Sequence, residues 1–104
     1  MKKDKLSVEE LRSIIMPIAE RHGVDSILLF GSAARGDDDD DSDHDFCVDT
    51  GRIEDYDGLA HLVRDMEDLI RSKVDVITLG GIRPDSGLMR NLRRDGIVVY
   101  SRTA

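Results

Sequence analysis

Asp43 and Asp45 stand one residue apart at the head of the short apolar run DFCV, residues 45–48. If that run is a strand, alternate side chains share a face, and the two carboxylates lie on one side with Cα atoms about 6–7 Å apart. Carboxylates so placed can ligate and bridge divalent ions ~3.5–4 Å apart, the separation used for in-line phosphoryl displacement. A third acid, Asp75, sits inside another alternating run, VDVITL at residues 74–79. A carboxylate flanked by core residues is costly unless it is paired, hydrogen-bonded or metal-bound. If the two strands are neighbours, Asp75 faces the same cluster.

Gly31-Ser32 lies ten residues ahead of Asp43 and supplies the other half of a phosphate site. Gly31 lets the backbone turn sharply and come close to an anion. The Ser32 hydroxyl and the amides after it can donate to phosphate oxygens, helped by the N-terminus of a short helix. Arg35, the nearest cation, fits either a phosphate contact or a pairing with the acidic loop. Two other motifs fail on their chemistry. Gly31–Gly36 has the glycine spacing of a P-loop, but Asp37 occupies the position of the phosphate-binding lysine and would repel the anion. An EF-hand frame from Asp37 or Asp39 puts Ser42 or His44 where glycine must stand.

Aspartates occupy eight of the thirteen positions from Asp37 to Asp49, with no lysine or arginine among them. The pentad Asp37–Asp41 is expected to face solvent, because nothing near it in the chain neutralises so much charge. Net charge over the 104 residues is −7. That balance argues against a standing binder of nucleic acid or anionic membrane, which is held mainly by clustered Lys and Arg. It leaves open a nucleotide bound through metal, or a basic protein partner. Cys47 is the only cysteine, which excludes an internal disulfide and fits a reducing cytoplasm. The start MKKDKLSVEELR has charges with no apolar run behind them, unlike a secretory signal. No window approaches the ~18 apolar residues of a membrane span.

The elements that must position these residues follow from the pattern. Ser7-Val-Glu-Glu10 is a capping box ahead of Leu11, Ile14, Ile15 and Ile18 at helical spacing; Pro17 should kink that helix and Gly23 end it. Ser26–Phe30 is a buried strand, and residues 31–43 read as loop with room for one helical turn. Leu59, Leu62, Val63, Met66, Leu69 and Ile70 define a second helix. A third fits from about Pro84 to Arg94, stopped at Gly96, before a last strand at Ile97–Tyr100. The order α-β-β-α-β-α-β implies one α+β domain over residues 1–104, a small mixed sheet packed with helices.

The string GSAARG…SDHDFCVD resembles the signature of DNA polymerase beta-type nucleotidyltransferases. It is especially similar to the minimal nucleotidyltransferases (MNT), the antitoxin partners of HEPN toxins in type VII pairs. Gly31, Ser32, Asp43, Asp45 and Asp75 match that signature residue by residue, and the closing RRDGIVVY is similar to the family's usual ending. His44 departs from it, since an aliphatic residue usually separates the two aspartates. Alternation aims His44 away from the metal face, toward packing or pairing. His22 and His61 show no partner pattern and read as structural or surface residues, and Cys47 as core.

The resemblance implies a polymerase beta-like fold and transfer of AMP from ATP with Mg²⁺ to an acceptor hydroxyl. Asp43 and Asp45 would hold the metals and triphosphate, Asp75 would complete the second metal site and help deprotonate the acceptor, and Gly31 and Ser32 would grip the departing phosphates. The chain leaves no residues for an acceptor-holding domain, so the acceptor surface is expected to arrive with a partner. By analogy that partner is a HEPN toxin ribonuclease, silenced by adenylylation of a tyrosine. Two alternatives stand beside it: an antitoxin that neutralises by contact with a vestigial nucleotide site, and an acidic interaction protein with no nucleotide chemistry.

Overall fold

The computed structural model describes residues 6–31, 34 and 44–102. Helix α1 (Val8–His22) begins at Ser7, whose hydroxyl accepts from the Glu10 amide while the Glu10 carboxylate accepts from the Ser7 amide. This reciprocal cap satisfies two amides that a helix start leaves without partners. The helix continues through Pro17 to His22, and Gly23 closes it in the left-handed conformation at φ 74°. Strand β1 (Ser26–Phe30) follows, then β2 (His44–Asp49), helix α2 (Tyr56–Ile70) and strand β3 (Val74–Thr78). A short 3-10 turn (Leu79–Gly81) leads to helix α3 (Gly87–Asp95) and strand β4 (Ile97–Ser101).

Strands β2 and β4 run slightly longer than the sequence expectation, and two other boundaries differ for a local reason. Helix α3 starts at Gly87 and not at Pro84, because the Ser86 hydroxyl caps it by accepting from the Met89 amide. Pro84 falls in the preceding turn, where the Ser86 hydroxyl also donates to the Arg83 carbonyl. The third strand stops at Thr78, as Leu79 enters the 3-10 turn.

The strands form one mixed sheet in the order β3-β2-β1-β4. β1 pairs antiparallel with β2 and β4, whereas β2 and β3 run parallel, joined by α2 as the crossover that parallel pairing requires. Helices α1 and α2 cover one face. Their Leu11, Ile15, Ile18, Leu62, Met66 and Ile70 pack with Ile27, Leu29, Phe46, Val48 and Val74 of the sheet. These sheet residues alternate, so the intervening ones (Leu28, Asp45, Cys47, Asp75 and Ile77) belong to the opposite face. Helix α3 stands on that second face, with Leu92 buried and Gly96 against Leu28. Among the described residues no helix is long and apolar enough to cross a membrane.

His22 has a structural role, through a partner that no sequence pattern announces. Its Nε2 lies 2.7 Å from Asp65 Oδ2, tying the end of α1 to the middle of α2. The carboxylate can only accept, so Nε2 carries the proton. This hydrogen bond is the main cause that holds the Asp65 carboxyl below its usual range; desolvation opposes it, and the charges of His22, Arg21 and His61 add to it. A depressed carboxyl pKa stabilises the fold above the unfolded value near ~3.9, and the contribution is lost as pH falls through the folded value. Asp65→Asn is therefore expected to lower the melting temperature at pH 7, with the gap to wild type closing progressively below about pH 4. Thermal denaturation of both proteins at pH 7 and pH 3 checks this.

Candidate active site

The register of the sheet assembles the acidic site. Asp45 on β2 and Asp75 on β3 are direct cross-strand partners, and Phe30 on β1 is the partner of Asp45 on its other side. Neighbouring strands lie about 4.8 Å apart, so the two carboxylates arise side by side on the face away from the α1–α2 core. Gly31, the residue after β1, completes the row. It has φ +74°, and a Cβ built there would collide with Asp45 Oδ2. Only glycine both adopts that backbone without penalty and leaves room for the carboxylate.

The environments of the two acids differ. Asp45 is half-buried, between Gly31 and the parallel strand. Asp75 is exposed, although Val74 before it is buried. The sequence expectation of a costly acid flanked by core residues is thus corrected: alternation turns Asp75 out of the core, and holding its charge there carries little desolvation cost. Cys47 is buried as expected, and burial, followed by the charge of Asp49, pushes its thiol pKa up. That makes it a poor thiolate and leaves it a packing residue.

Contacts outside the motif fix the register of the pair. The His44 amide donates to the Lys73 carbonyl at 3.1 Å, and His44 Nδ1 lies 3.0 Å from the Ser72 hydroxyl. Its ring stacks on Phe46, with centroids 6.2 Å apart. His44 therefore points to the helix-covered face and joins the start of β2 to the turn before β3, in keeping with the packing or pairing expected of it. Glu67 of α2 accepts from the Val74 amide at 3.1 Å and anchors β3 at the residue before Asp75. Neither Ser72 nor Glu67 belongs to the sequence-level site, since polarity at a helix end carries no signal of the strand it will meet.

Of the six residues expected at the site, Gly31, Asp45 and Asp75 are brought together. Ser32, Arg35 and Asp43 lie outside the described residues, as does the Asp37–Asp41 run. Among the described residues no group of three His, Cys, Asp or Glu side chains is placed to hold a metal ion. The described donor set is the carboxylate pair Asp45 and Asp75, whose hard, charged oxygens suit Mg²⁺.

A mixed sheet with a tight glycine turn after its first strand, and acids in register on the next two, defines a nucleotidyltransferase platform. Residues 13–104 match the polymerase beta nucleotidyltransferase family, and the chain belongs to that family. The protein adenylyltransferase MntA of Thermococcus cleftensis is 33% identical over 99 residues, spanning 91% of this chain and 96% of that protein. A candidate minimal nucleotidyltransferase of solved structure is 28% identical and superposes with a TM-score of 0.74, over 91% of this chain and 98% of the other. The complex of a tri-AMPylated Shewanella oneidensis HEPN toxin with an MNT antitoxin shares the fold, at 17% identity and a TM-score of 0.68, covering 93% of this chain and 75% of that one.

Proposed function

We propose that this chain is a protein adenylyltransferase that transfers AMP from ATP to a tyrosine hydroxyl of a HEPN toxin ribonuclease, acting in the cytoplasm as that toxin's antitoxin. The observation that carries the reading is the in-register pair Asp45–Asp75 beside a glycine where a side chain would be strained and would press on the Asp45 carboxylate. A vestigial site has no need of that arrangement. The name of the Thermococcus relative supports protein as the acceptor, and the shared fold with a HEPN–MNT complex supports the partner.

Asp45 and Asp75, together with Asp43, would hold Mg²⁺, which when bound neutralises triphosphate charge and orients it for displacement. The chain's own residues do the rest. Gly31 gives the backbone its close approach to the leaving phosphates, with Ser32 donating to them. The acceptor oxygen bonds to the α-phosphorus of ATP. The bond from that phosphorus to its bridging oxygen breaks, and pyrophosphate leaves with the electron pair. The hydroxyl proton passes to the exposed Asp75 carboxylate, positioned as general base.

Mixing the chain with a cognate HEPN toxin, in the presence of Mg-ATP, is expected to raise the toxin's intact mass by one or more AMP groups and to suppress its ribonuclease activity. Inhibition of the ribonuclease with no change in toxin mass would replace catalysis by sequestration.

A further inference from the structure

The row Gly31–Asp45–Asp75 has a direction. Gly31 follows β1, Asp45 is on β2, and Asp75 is on β3, the edge strand of the sheet. If the leaving phosphates rest on the Gly31 end, in-line displacement brings the acceptor oxygen from the opposite end. The acceptor must then approach across β3, past Asp75. Alongside that approach, further along β3 toward its C-terminal end, lies a hollow of about 370 Å³ between β3, the 3-10 turn and the start of α3. Ile77, Ile82 and Leu88 give it apolar walls, and Arg83 is its one charged lining residue among those described. Ile77 is two residues beyond Asp75 on the same face, a separation of about 6–7 Å.

We propose that this hollow receives the acceptor tyrosine of the protein substrate, its ring against Ile77 and Leu88 and its hydroxyl directed back to Asp75. The inference rests on the adenylyltransferase reading above and goes beyond it by assigning the residues that select the acceptor. An apolar floor with one guanidinium matches an aromatic ring, which gains both from area burial and from a cation over its face. Charge supports a protein occupant on this side. Arg83, Arg90 and Arg93 are exposed and pair with no acid among the described residues, on a chain whose net charge is −7. Arg83 lines the hollow itself, and Arg90 and Arg93 follow on α3, the helix whose start closes it, a cationic segment suited to carboxylates flanking the tyrosine. The triphosphate is held at the far end of the row and does not need them.

The test measures KM for the toxin and KM for ATP separately, in Leu88→Glu and Arg83→Glu. Both residues are exposed, and Arg83→Ala is carried beside them as the variant least able to disturb folding. Loss of an aromatic anchor's contacts is expected to raise KM for the toxin about tenfold or more, with KM for ATP unchanged. A rise in KM for ATP instead would assign the hollow to the nucleotide and overturn the proposal. Unchanged values for both substrates would also overturn it, while leaving the adenylyltransferase reading intact. Failure of the wild-type chain to label the toxin at all would defeat that reading, and this one with it.

Discussion

Asp45→Asn is expected to reduce AMP transfer by about a hundredfold or more while the chain remains folded, and Asp75→Asn to do the same. Neutralising triphosphate charge is a contribution of several kcal/mol, and each ~1.4 kcal/mol is a factor of ten in rate. Asparagine keeps the shape of the carboxylate and removes its charge, so the loss reports on chemistry. The fold should tolerate both changes. Asp75 is exposed, and Asp45 belongs to the face turned away from the α1–α2 core. Two adjacent carboxylates repel in the absence of a cation, which makes removal of one charge neutral or mildly stabilising. Labelled-AMP transfer and thermal denaturation, run on the same preparations, check the two halves. Transfer at the wild-type rate by either variant would remove that residue from the site.

Gly31→Ala should have the second large effect, and it differs in kind. The backbone at Gly31 has φ +74°, which costs a residue with a Cβ roughly 1–2 kcal/mol. The new methyl group would also meet Asp45 Oδ2, so either the turn or the carboxylate must move. A displacement of the order of 1 Å in a catalytic group can cost about a hundredfold in rate. The variant is therefore expected to lose both stability and transfer, whereas Asp45→Asn loses transfer alone. Combining the two separates the causes: in the double variant the stability loss should persist and no further activity should disappear. Full activity in Gly31→Ala would show that the phosphate grip and the acid pair are independent.

The acid pair was legible in the sequence because strands have period two. Once DFCV and VDVITL are strands, Asp45 and Asp75 each have a fixed face, and a parallel pairing of β2 with β3 sets them side by side. Their solvent exposure was less visible. Hydrophobic neighbours along a strand look like burial in one dimension, and only the position of the helices shows that one face is covered and the other open. The His22–Asp65 contact was hidden for another reason: its partners are 43 positions apart on different helices, where neither has a local pattern to pair with. The hollow beside β3 is built from a turn, a helix start and a strand, and no periodicity joins three such elements. The start of α3 is ambiguous in the sequence because Pro84 and Ser86 both favour the beginning of a helix, and the serine's hydroxyl bond to Met89 outweighs the proline's fixed φ.

The parallel joining of β2 to β3 bears on when in folding this chain becomes competent. Asp45 and Asp75 are brought together across thirty positions, through the helical crossover α2. Pairings of that separation incur the entropy of closing a long loop before any contact rewards it, and parallel sheets are slow to form for that reason. A nascent or partly unfolded chain with β1 and β2 joined would have Asp45 in place and no Asp75 opposite it. The reactive arrangement is thus a property of the completed β2–β3 pairing, and its appearance during refolding should coincide with that parallel pairing and not with the earlier joining of β1 to β2.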